Sequence, residues 1–250
     1  MAARVPVPSG VEETVRALGD FRARPNLRWL SSLLGGRNSD YRKALREVPR
    51  LRPLERSLHD AHLEGGRRFY AQFRAPFELY VLTRVLRPAH IVETGVSSGV
   101  SSAHFLAALR QNHRGRLHSV DRPMVQVAPV LAETESVVSV PPGRSSGWAI
   151  PASLRKNWDL RLGLSQEQLP PLVQGLSSVD IFLHDSRHTP AHLTFELETI
   201  RPKLKPGSVV LADNTTSTGT AFPQFVRSFR AKLCRRGHSD LVGFRVPERI

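Results

Sequence analysis

The chain has 250 residues, of which 40% are apolar and 23% charged, so it can bury a sizeable core and is not a disordered protein. No apolar run reaches the roughly 18 residues that a membrane-spanning helix needs, and we expect no secretory signal in the proline-containing start of the chain. A single cysteine, Cys234, excludes an internal disulfide, which favours a soluble protein of the reducing cytoplasm.

The formal net charge is +14, and the 36 basic residues comprise 31 arginines and five lysines scattered along the chain. Clustered basic residues are typical of nucleic-acid-binding surfaces, but no long basic run is present. An arginine-rich, solvated surface is therefore the preferred interpretation, and a nucleic-acid partner is the alternative. The basic residues are densest in residues 1–75, where an anionic substrate or surface could bind.

Residues 1–75 are predicted to form a basic, helical N-terminal extension. Apolar residues recur at helical spacing in three stretches, and glycine pairs at 35–36 and 65–66 interrupt the helical pattern. The three predicted helices are Val11–Phe21, Tyr41–Val48 and Leu54–Leu63.

Residues 76–250 alternate between helical and strand-like segments. Helical spacing from Phe77 to Val85 ends at Pro88, and a short strand follows at Ile91–Val92. Such alternation favours an α/β fold of the doubly wound, Rossmann-like kind, with a mostly parallel sheet and helices on both faces. Residues 122–157 are long for a crossover and are expected to contain a loop or lid near the site. Further strands are predicted at Leu117–Val120, Leu160–Leu162, Ile181–Leu183 and Ser208–Leu211.

Polar residues follow the predicted strands, at the edge where open parallel sheets bind their ligands. The first strand runs into Glu93-Thr94-Gly95-Val96-Ser97-Ser98-Gly99-Val100-Ser101, whose glycines permit a tight turn and close backbone approach. The second strand ends in Asp121, a carboxylate suited to accept hydrogen bonds from a ribose diol. The spacing Gly-x-x-x-Gly differs from the Gly-x-Gly-x-x-Gly pattern of dinucleotide-binding enzymes, which disfavours a dehydrogenase.

The order of these features resembles the class I S-adenosylmethionine-dependent methyltransferases over about residues 76–250. The elements that carry the resemblance are Glu93-x-Gly95-x-x-x-Gly99, Asp121 and the stretch Leu204–Leu211 before a late strand. The resemblance implies a seven-stranded sheet with S-adenosylmethionine as the cofactor. It also implies a set of cofactor-binding residues, namely Glu93, Gly95, Ser97, Gly99, Ser101, Asp121, Ser165 and Gln166.

Three segments are more specifically similar to metal-dependent small-molecule O-methyltransferases of the catechol, caffeoyl-coenzyme-A and macrolide-sugar types. Gly163–Pro170 is similar to the stretch that follows the third strand in the catechol enzymes and holds the adenine. Asp180–His188 resembles a fourth strand that ends in a metal-binding aspartate, followed three residues later by a catalytic base. Ala212-Asp213-Asn214 resembles the pair of residues that completes the metal site.

The residue types suit this chemistry. Asp185, Asp213 and Asn214 offer hard oxygen ligands at the ends of two predicted strands, a donor set typical of Mg²⁺. A divalent ion there could hold an acceptor hydroxyl and lower its pKa. His188 is the candidate general base, since imidazole titrates near neutral pH. The catechol-type enzymes have lysine at this position and the sugar enzymes have histidine, which leaves the acceptor class open.

Structural interpretations compete with these assignments. Asp185 and Asp213 could be helix N-caps and Asn214 a turn residue, because Asp and Asn are favoured at such positions.

Neighbouring residues are given structural interpretations. His184 is expected to be a buried, hydrogen-bonded residue that points away from Asp185. His192 and Glu196 lie four residues apart on a predicted helix and are expected on its solvated face.

The sequence therefore predicts a cytoplasmic enzyme that methylates a hydroxyl group of a small molecule with the help of a divalent metal. An RNA methyltransferase is an alternative favoured by the charge, and a catalytically inactive S-adenosylmethionine-binding protein would keep the same fold. A relative of the enzymes called cephalosporin hydroxylases is also compatible with the strand ends. A homo-oligomer is compatible with the sequence, and no motif identifies the acceptor.

Overall fold

The computed structural model describes residues 25–36, 38–65, 73–123, 140–237 and 240–248. The helix predicted at Val11–Phe21 lies outside these residues. The α-helices are α1 (Leu27–Leu34), α2 (Ser39–Glu47), α3 (Arg52–Gly65), α4 (Pro76–Leu86), α5 (Val100–Asn112), α6 (Ser165–Gln174), α7 (Pro190–Ile200) and α8 (Ala221–Ser228). The strands are β1 (His90–Thr94), β2 (Arg116–Asp121), β3 (Trp158–Leu162), β4 (Ile181–His184), β5 (Val209–Ala212), β6 (Cys234–Arg235) and β7 (Val242–Arg245).

The seven strands form one sheet in the order β3-β2-β1-β4-β5-β7-β6. Strands β1 to β5 are parallel to one another, and β7 is antiparallel to both of its neighbours. The predicted Rossmann-like, mostly parallel sheet is therefore confirmed, and each predicted strand is found within about two residues of its expected place. The strand order reverses between β1 and β4, which puts a crevice at the carboxyl ends of these two strands.

The centre of the sheet is buried on both faces because alternate residues of its strands enter two separate hydrophobic layers. Ile91 and Ile181 pack with α4 and α5 in a core that also contains Leu33 and Leu58 from the N-terminal helices. Val92 belongs to the other layer, which α6, α7 and α8 cover. This two-sided burial explains why the central strands β4 and β5 are short apolar runs, whereas β3 at the edge of the sheet is partly exposed and alternates apolar and polar residues.

The described part of the N-terminal extension is built into the main core. Helix α1, which the sequence analysis did not predict, begins after the N-cap Asn26 and buries Trp29, whose indole nitrogen donates to the Cys234 carbonyl over 3.1 Å. Helix α2 is joined to α4 by an ion pair of 2.6 Å between Glu47 and Arg84. The division at residues 75 and 76 stays a prediction. Among the described residues, no helix is long and apolar enough to cross a membrane.

Candidate active site

Glu93 occupies the end of β1 as a fully buried carboxylate with three hydroxyl partners. Ser101 and Ser102 donate to it from α5 over 2.5 and 2.6 Å, and Ser119 donates from β2 over 2.9 Å. Burial raises the pKa of Glu93 to about 7 in spite of these hydrogen bonds. Two residues predicted to bind the cofactor, Glu93 and Ser101, thus contact each other and hold β1, β2 and α5 together.

The loop between β1 and α5 needs glycine at two places. Gly95 and Gly99 have φ of +86° and +96°, a region that side chains disfavour. A Cβ atom on Gly99 would lie 2.5 Å from the side chain of Ile150, whereas one on Gly95 would collide with the backbone of Asp185. Ser97, also in this loop, has φ of +49°. The loop therefore brings the end of β1 against the end of β4 and packs against residues 147–150.

Asp121, at the end of β2, is tied to this loop. Its carboxylate accepts hydrogen bonds from the backbone of Val96 over 3.2 Å and of Ser97 over 3.3 Å, and from the Ser146 hydroxyl. A carboxylate offers about four acceptor sites, so capacity remains for a ribose hydroxyl. Asp121 is half-buried at the crevice, where a ligand could reach it.

Residues 140–151 pack over the glycine loop. The backbone nitrogen of Gly147 donates to the Ser97 carbonyl over 2.7 Å, and that of Ala149 donates to the Ser98 carbonyl over 3.1 Å. The loop expected near the site is therefore confirmed for this part of residues 122–157. Residues 124–139 lie outside the described part of the chain.

Ser165 and Gln166 begin α6, just after β3. Gly163, at the start of this turn, donates its backbone N–H to the Asp121 carbonyl over 2.9 Å, which holds the two strand ends side by side. Ser165 is buried, whereas Gln166 is exposed and its side-chain nitrogen lies 3.2 Å from Nδ1 of His192. The predicted cofactor residues of β1, β2 and α6 thus share one edge of the sheet.

The predicted metal and base residues meet next to this edge. His188 Nε2 lies 3.6 Å from the Asp185 carboxylate and 3.4 Å from the Asn214 amide nitrogen. Burial raises the pKa of Asp185, and the nearby charge of Asp213 raises it further, while His188 lowers it. Burial also raises the pKa of Asp213. The structure therefore brings two partly buried carboxylates, an amide and an imidazole together at the ends of β4 and β5.

Part of the chain is similar in sequence to a known protein family. The family model described as "Methyltransferase domain" matches residues 92–215, which include β1 to β5 and the polar strand ends. Residues 92–215 form a methyltransferase domain, and the chain is a methyltransferase that depends on S-adenosylmethionine. Among curated proteins, none matches this methyltransferase.

Solved structures with the same fold are distant in sequence. The O-methyltransferase TomG from Streptomyces achromogenes, in complex with SAM, is 20% identical with a TM-score of 0.53, covering 78% of this chain and 90% of its own. The calicheamicin methyltransferase CalS11 is 18% identical with a TM-score of 0.52, covering 96% and 94%. An O-methyltransferase from Bacillus cereus in complex with SAH is 15% identical with a TM-score of 0.51, covering 80% and 95%.

The structure does not support the interpretation of Asp185 and Asp213 as helix N-caps. Thr189 caps α7 through its side chain, and α8 begins after Thr220. Neither Asp185 nor Asp213 is thus a helix cap. Asn214 has φ of +50°, as expected of a turn residue, and its side chain still reaches His188.

The prediction that His192 and Glu196 lie on a solvated helix face is wrong. Both are buried, and His192 Nε2 lies 2.9 Å from the Glu196 carboxylate, because this face of α7 packs against the ends of β1 and β4. His184 is buried and hydrogen-bonded as expected, with Nδ1 2.7 Å from Glu196. Thr94 and His184 are register partners, so a sequence signal for this cluster existed: two polar residues end adjacent strands on the same face.

The metal remains a prediction. Within the described ranges, no group of three or more His, Cys, Asp or Glu residues has an arrangement that could hold a metal ion. The donor set of Asp185, Asp213 and Asn214 contains only two such residues, with an amide oxygen as the third donor.

Proposed function

We propose that the chain is an S-adenosylmethionine-dependent O-methyltransferase that acts on a hydroxyl group of a small molecule, with His188 as the general base. The observation that carries the proposal is the meeting of Asp185, His188, Asp213 and Asn214 beside the glycine loop. The similar structures named as O-methyltransferases support this reaction.

The cofactor would bind along the edge formed by β1, β2 and the start of α6. Gly95 and Gly99 allow the close packing that shapes the loop beside the cofactor, and the half-buried Asp121 offers acceptor capacity for the ribose. Ser165 and Gln166 stand at the far end of this edge, where we place the adenine. Glu93 and Ser101 would act by fixing the loop, since their polar atoms are bonded to each other.

A divalent metal such as Mg²⁺ fits the chemistry of the side chains at the ends of β4 and β5. Burial and the charge of Asp213 disfavour the ionisation of Asp185, which a cation between the two carboxylates would relieve, and Asn214 adds a neutral oxygen. Mg²⁺ usually takes only one or two carboxylates and keeps several waters, so a small protein donor set is sufficient. When bound, the ion would lower the pKa of an acceptor hydroxyl.

His188 is placed to accept the proton of that hydroxyl. The Asp185 carboxylate, 3.6 Å from Nε2, favours the imidazolium that forms when the proton arrives. The acceptor oxygen then forms a bond to the methyl carbon in line with the sulfonium sulfur. As that C–O bond forms, the C–S bond breaks and its electron pair stays on sulfur. The products are a methyl ether and S-adenosylhomocysteine, with the proton on His188.

Methyl transfer from radiolabelled S-adenosylmethionine to a panel of small hydroxylated acceptors tests the proposal directly. We expect label in an ether product of at least one acceptor, with turnover lost in excess chelator and restored by Mg²⁺. A chain that binds S-adenosylhomocysteine but transfers label to no acceptor would instead be a catalytically inactive binding protein.

A second candidate, an RNA methyltransferase, is favoured by one surface feature. Six basic side chains on or between α2 and α3 are exposed and form no ion pair among the described residues: Arg42, Lys43, Arg46, Arg50, Arg52 and Arg56. Phosphate binding by this surface would make RNA affinity fall steeply with salt concentration. Label transferred to RNA rather than to small acceptors, with such a salt dependence, would support this candidate over the first.

A further inference from the structure

The two residues on either side of Asp185 bind the same carboxylate. His184 Nδ1 donates to one oxygen of Glu196 over 2.7 Å, and the Ser186 hydroxyl donates to the other over 2.9 Å. Glu196 lies on α7, and α7 begins just after the proposed catalytic loop, residues 185–188. The Glu196 side chain thus holds the residues on both sides of Asp185, the first residue of the catalytic loop.

Glu196 is itself rigidly held. It is completely buried and accepts two further hydrogen bonds, from the Thr94 hydroxyl over 2.6 Å and from His192 Nε2 over 2.9 Å. Its four donors match the roughly four acceptor sites of a carboxylate. Hydrogen bonds from His184 and His192 keep the pKa of Glu196 below its usual value although burial opposes this.

The same carboxylate reaches the proposed cofactor edge. His192, bonded to Glu196, lies through Nδ1 within 3.2 Å of the Gln166 side-chain nitrogen at the start of α6. Thr94 binds Glu196 through its hydroxyl and accepts the Asp185 backbone N–H through its carbonyl, over 2.8 Å. The ends of β1 and β4 and the start of α6 are therefore connected through Glu196.

We infer that Glu196 is a positioning residue of the methyl-transfer site, which orients Asp185 and His188 by fixing His184 and Ser186. This inference rests on the proposed function. Glu196 need not contact the cofactor or the acceptor, because its four acceptor sites are filled by protein donors. Its loss should disturb the geometry of the catalytic loop more than the affinity for the cofactor. Residues that orient the groups doing the chemistry typically change activity by 10- to 100-fold when they are replaced.

The test compares Glu196→Gln with Glu198→Gln, a matched substitution on the same helix. Glu198 is exposed and, among the residues that the structure describes, pairs only with Arg201. Both variants and the wild type are compared in amide hydrogen exchange of residues 185–189, in melting temperature and in calorimetric affinity for S-adenosylhomocysteine. Their kcat and KM are measured with an acceptor identified by label transfer. Ser186→Ala, which removes one of the four donors, serves as a milder variant if Glu196→Gln does not fold.

We expect Glu196→Gln to exchange faster in residues 185–189 and to lose about 10- to 100-fold in kcat, with cofactor affinity and KM for S-adenosylmethionine within about threefold of the wild type. Ser186→Ala should change in the same direction by less, and Glu198→Gln should match the wild type. Unchanged exchange and kcat in Glu196→Gln, or a parallel loss of cofactor affinity and melting temperature, would overturn the inference. A wild type without turnover would refute the proposed function, while the exchange measurement would still decide whether Glu196 holds the loop.

Discussion

A Cβ atom on Gly95 would lie 1.9 Å from the carbonyl oxygen of Asp185. The glycine loop after β1 and the proposed catalytic loop after β4 are therefore in direct contact, and the Asp185 backbone N–H also donates to the Thr94 carbonyl. The two halves of the proposed site, one for the cofactor and one for the acceptor, are thus packed directly against each other.

Replacement of Gly95 by alanine should damage both halves. The clash is with backbone, and the residue has a φ of +86°, so we expect a loss of stability well above the roughly 1–2 kcal/mol that a left-handed alanine costs. Gly143→Ala is the control, since Gly143 has a φ of +77° and no atom of the described residues lies within 4 Å of the added Cβ. Thermal unfolding and S-adenosylhomocysteine affinity are measured. Equal effects of the two substitutions would show that contact with Asp185 is unimportant.

Loss of the metal and loss of the base should have different effects on metal binding and turnover. Asp185→Ala should behave like chelation, with turnover abolished and cofactor binding mostly kept. His188→Ala should keep Mn²⁺ binding, followed by electron paramagnetic resonance, and lower the rate by about 10²- to 10⁴-fold, the usual range for a general base. If turnover needed His188 but chelators had no effect, His188 would remain the proposed base and the metal would be rejected. If turnover survived both substitutions, Asp185 and His188 would have structural roles only.

The buried His62 should make the fold sensitive to acid. Burial lowers the pKa of His62 to about 4, and its ring packs edge-on against Trp148 at a centroid distance of 5.1 Å. The folded-state pKa lies below the unfolded value of about 6.5, so the unfolded chain binds more protons between these values and stability falls as pH falls through this window. Urea unfolding at pH 7.5 and 4.5 should show a smaller acid loss for His62→Phe than for the wild type. Parallel pH profiles would contradict this.

Much of the fold was predictable from the sequence, because β1, β4 and β5 are buried on both faces and contain short apolar runs bounded by polar ends. Helix α1 was not predicted from the sequence, because it is short and its buried residues, which include Trp29 and Leu33, belong to no recognised motif. The two-residue β6 carries too little pattern to be detected.

The site was predictable where the chemistry lies at strand ends in chain order. The sequence indicated Asp185, His188, Asp213 and Asn214, and the structure brings them together. Glu196 was misjudged because a spacing of four on a helix does not say which face is buried. That depends on Thr94 and His184, which come from strands distant in the chain.

The N-terminal helices should be part of the stable fold. Trp29 is almost fully buried and its indole nitrogen binds the Cys234 carbonyl, so Trp29→Ala should cost about 3–5 kcal/mol in free energy of unfolding. A chain starting near Glu64 would lose α1, α2 and most of α3 from the core and should not remain folded. Leu27→Ala, at an exposed position of the same helix, should change stability by less than about 1 kcal/mol. Equal stability of the two variants would place α1 outside the folding unit.

Calorimetric titration with S-adenosylhomocysteine tests the central claim most directly, since it needs neither the acceptor nor the metal. The wild type should bind, and Asp121→Ala should lose about 1–3 kcal/mol of binding free energy because a hydrogen-bond acceptor for the ribose is removed. Ser146→Ala, which removes only one protein donor to Asp121, should keep most of the affinity. A folded wild type that does not bind S-adenosylhomocysteine, or an Asp121→Ala variant that binds as tightly as the wild type, would contradict the site described here.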